Sequence, residues 1–460
     1  MSNFLTELVQ VVGADCVLTG KDIPERHFTD WSGTSPTQPL ALVRPRSTAE
    51  VSTLLALCSE HRVPVVPQGG LTGLAGAAVP CAHGVALSLD RMHGIDSVDV
   101  RARTLAVQAG ATLAAVQEAA SSVGLLFGVD FGARGSCHMG GAIATNAGGN
   151  GVLQHGMMRE QVLGIEVVLA DGTVLPMLRP MLKNNTGYDL KQFFIGAEGT
   201  LGVITRALVR LRPLPAARIT ALVALPDFDA ALSLLGHLQV HFAGTLAAFE
   251  LMWRDFVAAS LAWQQLREPF NDVHPFIALI EVGGQDQAVL HASLEQVLSE
   301  AIAAGQANDA VIAQAHAQAT ALWKIREATA ELTVHMRPPI NFDVSLPMAE
   351  IGHFADACRA AIGARWPDNH TIFFGHVGDG NLHITTDAHT VNGEQDALEA
   401  LVYERVSAYR GSVSAEHGIG LHKKPHLSAS RTSNELATMR AIKRALDPLN
   451  LLNPGKVFDL

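Results

Sequence analysis

His376 and His383 flank a Gly378-Asp379-Gly380-Asn381 run inside Phe374-Gly-His-Val-Gly-Asp-Gly-Asn-Leu-His-Ile384. Asp-Gly between two apolar runs predicts a hairpin. The fold-back brings the two imidazoles toward each other, with Asp379 stabilising the turn. Further along comes Ser414-Ala-Glu-His-Gly418, where Ser412 to Ala415 reads as a short strand ending at Glu416 and His417. Two imidazoles and a carboxylate suffice for a divalent metal that keeps an open coordination position. His376, His383 and Glu416 are the predicted ligands; Zn2+ suits them, and Mn2+ or Fe2+ is compatible with the same donors. His417, next to Glu416, is neutral near pH 7 by type and can take a proton as a general base.

Composition bounds the scaffold that positions these groups. A chain of 460 residues exceeds one hydrophobic core, which predicts two or more domains. With 48% hydrophobic and 17% charged residues it has the make-up of a well-buried enzyme. The net charge of −11 argues against general nucleic-acid binding but leaves room for a locally positive pocket. The 5 cysteines are odd in number, widely spaced and free of any Cys-x-x-Cys, as expected of reduced thiols and not of a disulfide framework or iron–sulfur site. The first basic residue is Lys21 and Glu7 interrupts the opening segment, so no targeting peptide is expected. No apolar run is long enough to cross a bilayer. The expected location is cytoplasmic.

The first half alternates strands and helices. Leu40–Pro45 reads as a strand, Ser47-Thr-Ala-Glu50 as a capping box, and Thr48 to His61 as a helix with Val51, Leu54, Leu55 and Cys58 on one face. The strand Pro64–Pro67 follows and runs into Gln68-Gly-Gly-Leu-Thr-Gly73-Leu-Ala-Gly76. A glycine-rich loop directly after a strand lets backbone amides approach a phosphate. Its spacing is neither Gly-x-Gly-x-x-Gly nor a Walker loop, which excludes a Rossmann or P-loop reading. After strands Val85–Leu89 and Thr104–Gln108 and a helix from Ala111 to Val123, a second glycine-rich stretch runs from Asp130 to Gly151. Gly164–Ala170 with Asp171-Gly172 reads as a hairpin. Asn184–Leu190 and Ile195–Ile204 form a third station. A backbone wrapped around a large ligand explains three such stations better than disorder does.

Pro67-Gln-Gly-Gly-Leu-Thr-Gly73, Gly135-Ser-Cys-His-Met-Gly-Gly141, Ala144-Thr-Asn-Ala-Gly-Gly149 and Gly196-Ala-Glu-Gly-Thr-Leu-Gly202 resemble the FAD-binding domain of the vanillyl-alcohol-oxidase superfamily, in its D-lactate, D-2-hydroxyglutarate and glycolate dehydrogenase branch. The resemblance extends from about Leu40 to the last residues. It implies an α+β fold: a two-subdomain FAD-binding domain over residues 1–215, an α+β cap with a mostly antiparallel sheet over 216–425, and a segment 426–460 that returns to the FAD domain. It implies that FAD is held by Pro67, Gly69, Gly70, Leu71, Thr72, Gly73, Leu74, Gly135, Ser136, Gly140, Gly141, Thr145, Asn146, Gly148, Gly151, Glu198, Gly199, Gly202, Val203, Ile204 and Asn453. Neither His nor Cys lies between Pro67 and Gly76, so the flavin is expected to be noncovalent.

Downstream, two prolines in Arg210-Leu-Arg-Pro-Leu-Pro215 mark a boundary. Strands at Ile219–Leu225, Thr245–Leu251 and Phe276–Val282 then alternate with helices at Asp229–Val240 and Val257–Leu266. Ala317 to His335 reads as one helix. In it Arg326 matches an arginine that clamps substrate carboxylate in the family, a role that suits a planar guanidinium. The metal and catalytic segments match the family too. The implied reaction is oxidation of a D-2-hydroxy acid to the 2-oxo acid, with hydride transfer to flavin N5 and His417 as base. The substrate positions depart from relatives that take 2-hydroxyglutarate. Asn341 stands for Lys, Ala330 for Thr and Thr385 for Asn, which favours a less polar tail such as that of D-lactate or a longer 2-hydroxy acid, while the match of Asn185-Thr-Gly-Tyr-Asp-Leu-Lys-Gln192 to the D-2-hydroxyglutarate branch keeps that acid open as well. Electrons are expected to leave to an electron-transfer flavoprotein, a quinone or a cytochrome, and the resemblance implies a homodimer. Two other readings are a flavin-carrying subunit of a glycolate-oxidising complex and a metallohydrolase; the latter leaves the glycine stations unexplained.

Overall fold

The computed structural model describes residues 2–336 and 338–460. The chain divides into two compact units. One holds the residues up to Gly149 with His155–Leu214 and Glu416–Leu460; the other holds Asn150–Gln154 and Pro215–Ala415. The chain thus leaves the first unit at Leu214 and rejoins it at Glu416.

The first unit contains two sheets. Strands β1 (Val17–Thr19), β2 (Ala41–Val43), β3 (Val65–Gln68) and β4 (Val85–Ser88) are ordered β1-β2-β4-β3. Both contacts of β4 are parallel. The helix Thr48–Glu60 makes the crossover and buries Val51, Leu54, Leu55 and Cys58. Its Ser47 cap accepts from the Glu50 amide, but the Glu50 carboxylate reaches back to the amide of Arg46, one residue further than a capping box requires. Strands β5 (Ile95–Asp99), β6 (Thr104–Gln108), β8 (Val162–Val168), β9 (Val174–Met177) and β10 (Val203–Arg210) form an antiparallel sheet in the order β5-β6-β10-β8-β9. Between them β7 (Leu125–Leu126) pairs with β11 (Arg212–Pro213). Leu452, near the end of the chain, bridges to Val65 at the edge of the first sheet. Two glycines and a short run do not prevent Met139–Ala144, inside the second glycine-rich stretch, from forming a helix in place of an open loop.

The second unit is built on one antiparallel sheet: β12 (Ala217–Leu225), β13 (Leu246–Trp253), β14 (Phe276–Gly284), β15 (Asp309–Ile312), β16 (Pro339–Ser345), β17 (Thr371–Gly375) and β18 (Asn381–Asp387). Their order is β15-β12-β14-β13-β17-β18-β16. The central strands β12, β13 and β14 are buried along nearly their whole length, as strands covered on both faces must be. Phe256, Val257, Ile325 and Leu332 from neighbouring helices, and Ala328 between two of them, pack with Met252, Ile277 and Phe374 of the sheet. The region read as one helix is two, His316–Arg326 and Thr329–His335, broken at Glu327–Ala328. Ser412–Ala415 is not a strand: Ser412 alone bridges to Ser345. Among the described residues no helix is long and apolar enough to cross a membrane.

Candidate active site and cofactor cradle

Residues directly opposite in an antiparallel sheet share a face. The register therefore lays Asn341 beside Thr385, and Asp343 beside His383, with Phe374 and Met252 continuing the second row. His376 follows the end of β17, in a five-residue connection closed by Gly380 at φ +89°, a left-handed position suited to glycine. The Asp379 carboxylate accepts from the Asn381 amide, as a turn-stabilising residue does.

Glu250 lies in the middle of the apolar strand Leu246–Trp253 and is 1% exposed. A charge in that setting must be paired. One oxygen, Oε1, is 2.6 Å from His376 Nδ1, while Oε2 accepts from Arg326 Nε at 2.8 Å and lies 2.8 Å from Nη2. Burial alone would push the Glu250 carboxyl up, but the charges of His376 and Arg326 outweigh it and hold the group below the usual carboxylate range. A carboxylate only accepts, so His376 donates from Nδ1 here. Arg326, 5% exposed, also lies over the Phe374 ring at 4.8 Å. Its Nη1 makes no hydrogen bond among the described residues.

The His376 and His383 rings meet edge to face with centroids 5.4 Å apart. Asp343, fully buried, accepts from the Asn381 carboxamide at 2.9 Å, and its carbonyl accepts from the Ala415 amide. That bond anchors the chain immediately before Glu416. His376 and His383 thus offer two imidazoles within the second unit, while the Glu416 carboxylate, in the first unit, accepts from the Gly149 amide at 2.7 Å. By donor type, His376, His383 and Glu416 suit a divalent cation: two imidazoles and a carboxylate.

The first unit carries a cradle. Beyond β3, the backbone amides of residues 69 to 74 donate to no hydrogen bond among the described residues. Buried Asn453 binds Ala77 and Glu198 carbonyls through Nδ2, and its Oδ1 has no partner among the described residues. Leu71, Asn146, Glu198 and Asn453 all hold positive φ without being glycine. Backbone strain of this kind persists where the surroundings enforce it, often around a ligand. Unused amides beside an orphaned acceptor fit a large polar cofactor.

Residues 39–177 match the model described as FAD binding domain, and 214–457 the one described as FAD linked oxidases, C-terminal domain. The chain is 38% identical to a D-2-hydroxyglutarate dehydrogenase of Xanthomonas citri pv. viticola, over 95% of this chain and 92% of that one. It is 37% identical to one of Stutzerimonas stutzeri, over 99% and 98% respectively. The chain belongs to the FAD-linked oxidase family. It is a homologue of FAD-dependent 2-hydroxy acid dehydrogenases. In fold it matches p-cresol methylhydroxylase with a TM-score of 0.79 at 17% identity, covering 100% of this chain and 97% of that one. Alkyldihydroxyacetonephosphate synthase gives 0.77 at 18% identity, covering 99% and 86%.

For an FAD-linked oxidase, the sheet gathers His376, His383, Arg326, Asn341 and Thr385 within the second unit. Arg326 differs most from expectation. It is buried and ion-paired to Glu250 instead of presenting its whole fork. Thr385 donates to the Asn341 carboxamide at 2.9 Å. Ala330 lies on the helix Thr329–His335, and its side chain is outside what the structure describes. In the cradle, the Glu198 carboxylate is taken by the amides of Ile419 and Gly420 at 2.7 and 2.8 Å, and burial pushes it up despite those donors. Thr145 bonds back to the Gly141 carbonyl. Sequence reasoning missed Glu250, whose signal was one acid inside Leu-Ala-Ala-Phe-Glu-Leu-Met-Trp. It also missed Asp343 as a buried partner of the metal-site loop.

Proposed function

We propose that this chain oxidises a D-2-hydroxy acid to the 2-oxo acid, with a divalent metal held by His376, His383 and Glu416 and noncovalent FAD held by the glycine-rich stations. The observation that carries the reading is the edge-to-face pair of His376 and His383, centroids 5.4 Å apart, in the unit where Glu250 holds buried Arg326. When bound, FAD supplies the hydride acceptor and the metal a Lewis acid that acidifies the substrate hydroxyl. Arg326 binds the substrate carboxylate through Nη1 while Glu250 holds the rest of the guanidinium. His417 takes the proton from the 2-hydroxyl. Fixing one carboxylate and one hydroxyl orients C2 and its hydrogen.

At the substrate tail, Asn341 and Thr385 are neutral and bonded to each other. A second substrate carboxylate would have to break that pair and meet a carboxamide, so we place D-lactate and longer, less polar D-2-hydroxy acids ahead of D-2-hydroxyglutarate. The electron acceptor is an electron-transfer flavoprotein, a quinone or a cytochrome, and the setting cytoplasmic. The test is anaerobic titration of the flavin spectrum with D-lactate, D-2-hydroxyglutarate and their L-enantiomers. Bleaching by a D-acid alone supports the reaction. A flavin band that no 2-hydroxy acid bleaches refutes it, and bleaching strongest with D-2-hydroxyglutarate refutes the tail assignment.

A further inference from the structure

Three hydrogen-bond donors converge on the two oxygens of Glu250. Arg326 Nε and Nη2 face Oε2, and His376 Nδ1 faces Oε1. The three residues come from different elements: β13, the C-terminal end of the helix His316–Arg326, and the residue after β17. Leu251 and Gly375, the neighbours of Glu250 and His376, are paired across β13 and β17, so that contact is set by strand register. Carboxylate is the only protein side chain with two acceptor oxygens and no obligatory donor. A carboxamide in its place would answer one partner and present N–H to the other.

We propose that Glu250 is a positioning residue that fixes the ligating nitrogen of His376 and the orientation of Arg326 together, so that metal affinity and substrate-carboxylate affinity depend on one side chain. The inference rests on the function proposed above. With Nδ1 held by Glu250, Nε2 is the His376 nitrogen that a bound cation would take. Removing such a partner from a metal-bound histidine typically weakens binding by about 10- to 100-fold. By gripping Nε and Nη2, the same carboxylate holds Nη1 in one place.

The test compares wild type with Glu250→Gln and Arg326→Lys, each purified with FAD. Zn2+ affinity is read by competition with a chromophoric chelator, and coordination by the visible spectrum of the Co2+-loaded protein. KM and kcat are read for the best D-2-hydroxy acid. In Glu250→Gln we expect Zn2+ affinity to fall at least about 10-fold, the Co2+ spectrum to change, KM to rise, and FAD content to stay at the wild-type level. In Arg326→Lys, which alters no metal ligand, a Zn2+ affinity shift of about 3-fold or more is expected through the shared carboxylate. That variant keeps the test open if Glu250→Gln does not fold. A purely structural Glu250 would lower the melting temperature and leave Zn2+ affinity and KM of the folded protein unchanged, which would overturn the inference. Wild type that binds no Zn2+ and oxidises no D-2-hydroxy acid would instead overturn the function on which it rests.

Discussion

Gly70→Ala is a sharp test of the cradle. Gly70 passes against the second glycine-rich stretch so closely that a Cβ would stand 1.9 Å from the Ser136 carbonyl oxygen, 2.8 Å from its carbon and 2.9 Å from Cys137 Cα. All three are backbone atoms, so no rotamer change can relieve the clash. To reach even 3.0 Å, the oxygen must retreat by about 1.1 Å. It cannot do so freely: the Ser136 and Cys137 amides both bond to Ala133, and the Cys137 carbonyl accepts from Leu113. Overpacking of this kind costs about 1–3 kcal/mol. Expressed as lost cofactor affinity, that is about 5- to 150-fold. The assay is FAD content of the purified variant and its Kd from quenching of FAD fluorescence, with far-UV circular dichroism as the check on folding. Gly70→Ala that folds and binds FAD as tightly as wild type would refute the assignment of these two segments to the cofactor.

His417→Ala should keep FAD and metal but slow flavin reduction by about 100-fold or more; rapid-mixing kinetics showing the wild-type rate would remove His417 from the reaction. Asn341→Lys should raise kcat/KM for D-2-hydroxyglutarate relative to D-lactate by about 10- to 100-fold, the worth of one charge-assisted hydrogen bond, as steady-state kinetics with both acids will show. Lys443 is buried and donates to Asp447 and to the carbonyls of Thr200 and Leu452. Lys443→Ala leaves the Asp447 carboxylate uncompensated and should cost about 3–5 kcal/mol in urea unfolding. Burial raises the Asp90 carboxyl, but its two-point pair with Arg44 prevails and keeps it below its ordinary 3.8. A depressed folded value stabilises the protein above 3.8 and loses that contribution as pH falls. Thermal melts of Asp90→Asn should therefore lie below wild type near neutrality and converge with it in acid.

Some of this architecture was legible because backbone geometry constrains residue type. The glycine runs, the hairpin between Phe374 and Ile384 and the buried face of Thr48–Glu60 follow from local pattern. Long-range pairings were not legible. Glu250 meets Arg326 and His376 across 76 and 126 positions, and nothing local to Phe249-Glu250-Leu251 says which cations will neutralise it. The break after Arg326 has no glycine or proline to mark it. It coincides with fully buried Ala328, flanked by Ile325 and Leu332 in the same core, so packing decides it. Met139–Ala144 is helical despite two glycines because the amides of Met139 and Gly140 are held by the carbonyls of Ala111 and Ala109. Arg326 was found by resemblance, yet its burial and its partner came only from the fold.

The return of Leu452 to Val65 also bears on how the protein is made. A ribosome delivers the chain from its first residue, and domains tend to fold as units while synthesis continues. The strands of the inserted unit, from Ala217 to Asp387, have all emerged before Leu451–Asn453 exist. Val65 donates to Leu451 and its carbonyl accepts from Asn453, so the edge of the first sheet waits on a segment translated after the second unit. The nascent protein can thus complete the sheet of the second unit before the first sheet is closed at Val65. Stalling translation after the second unit has emerged and before Leu451 should yield a chain with that unit folded and the Val65 edge open.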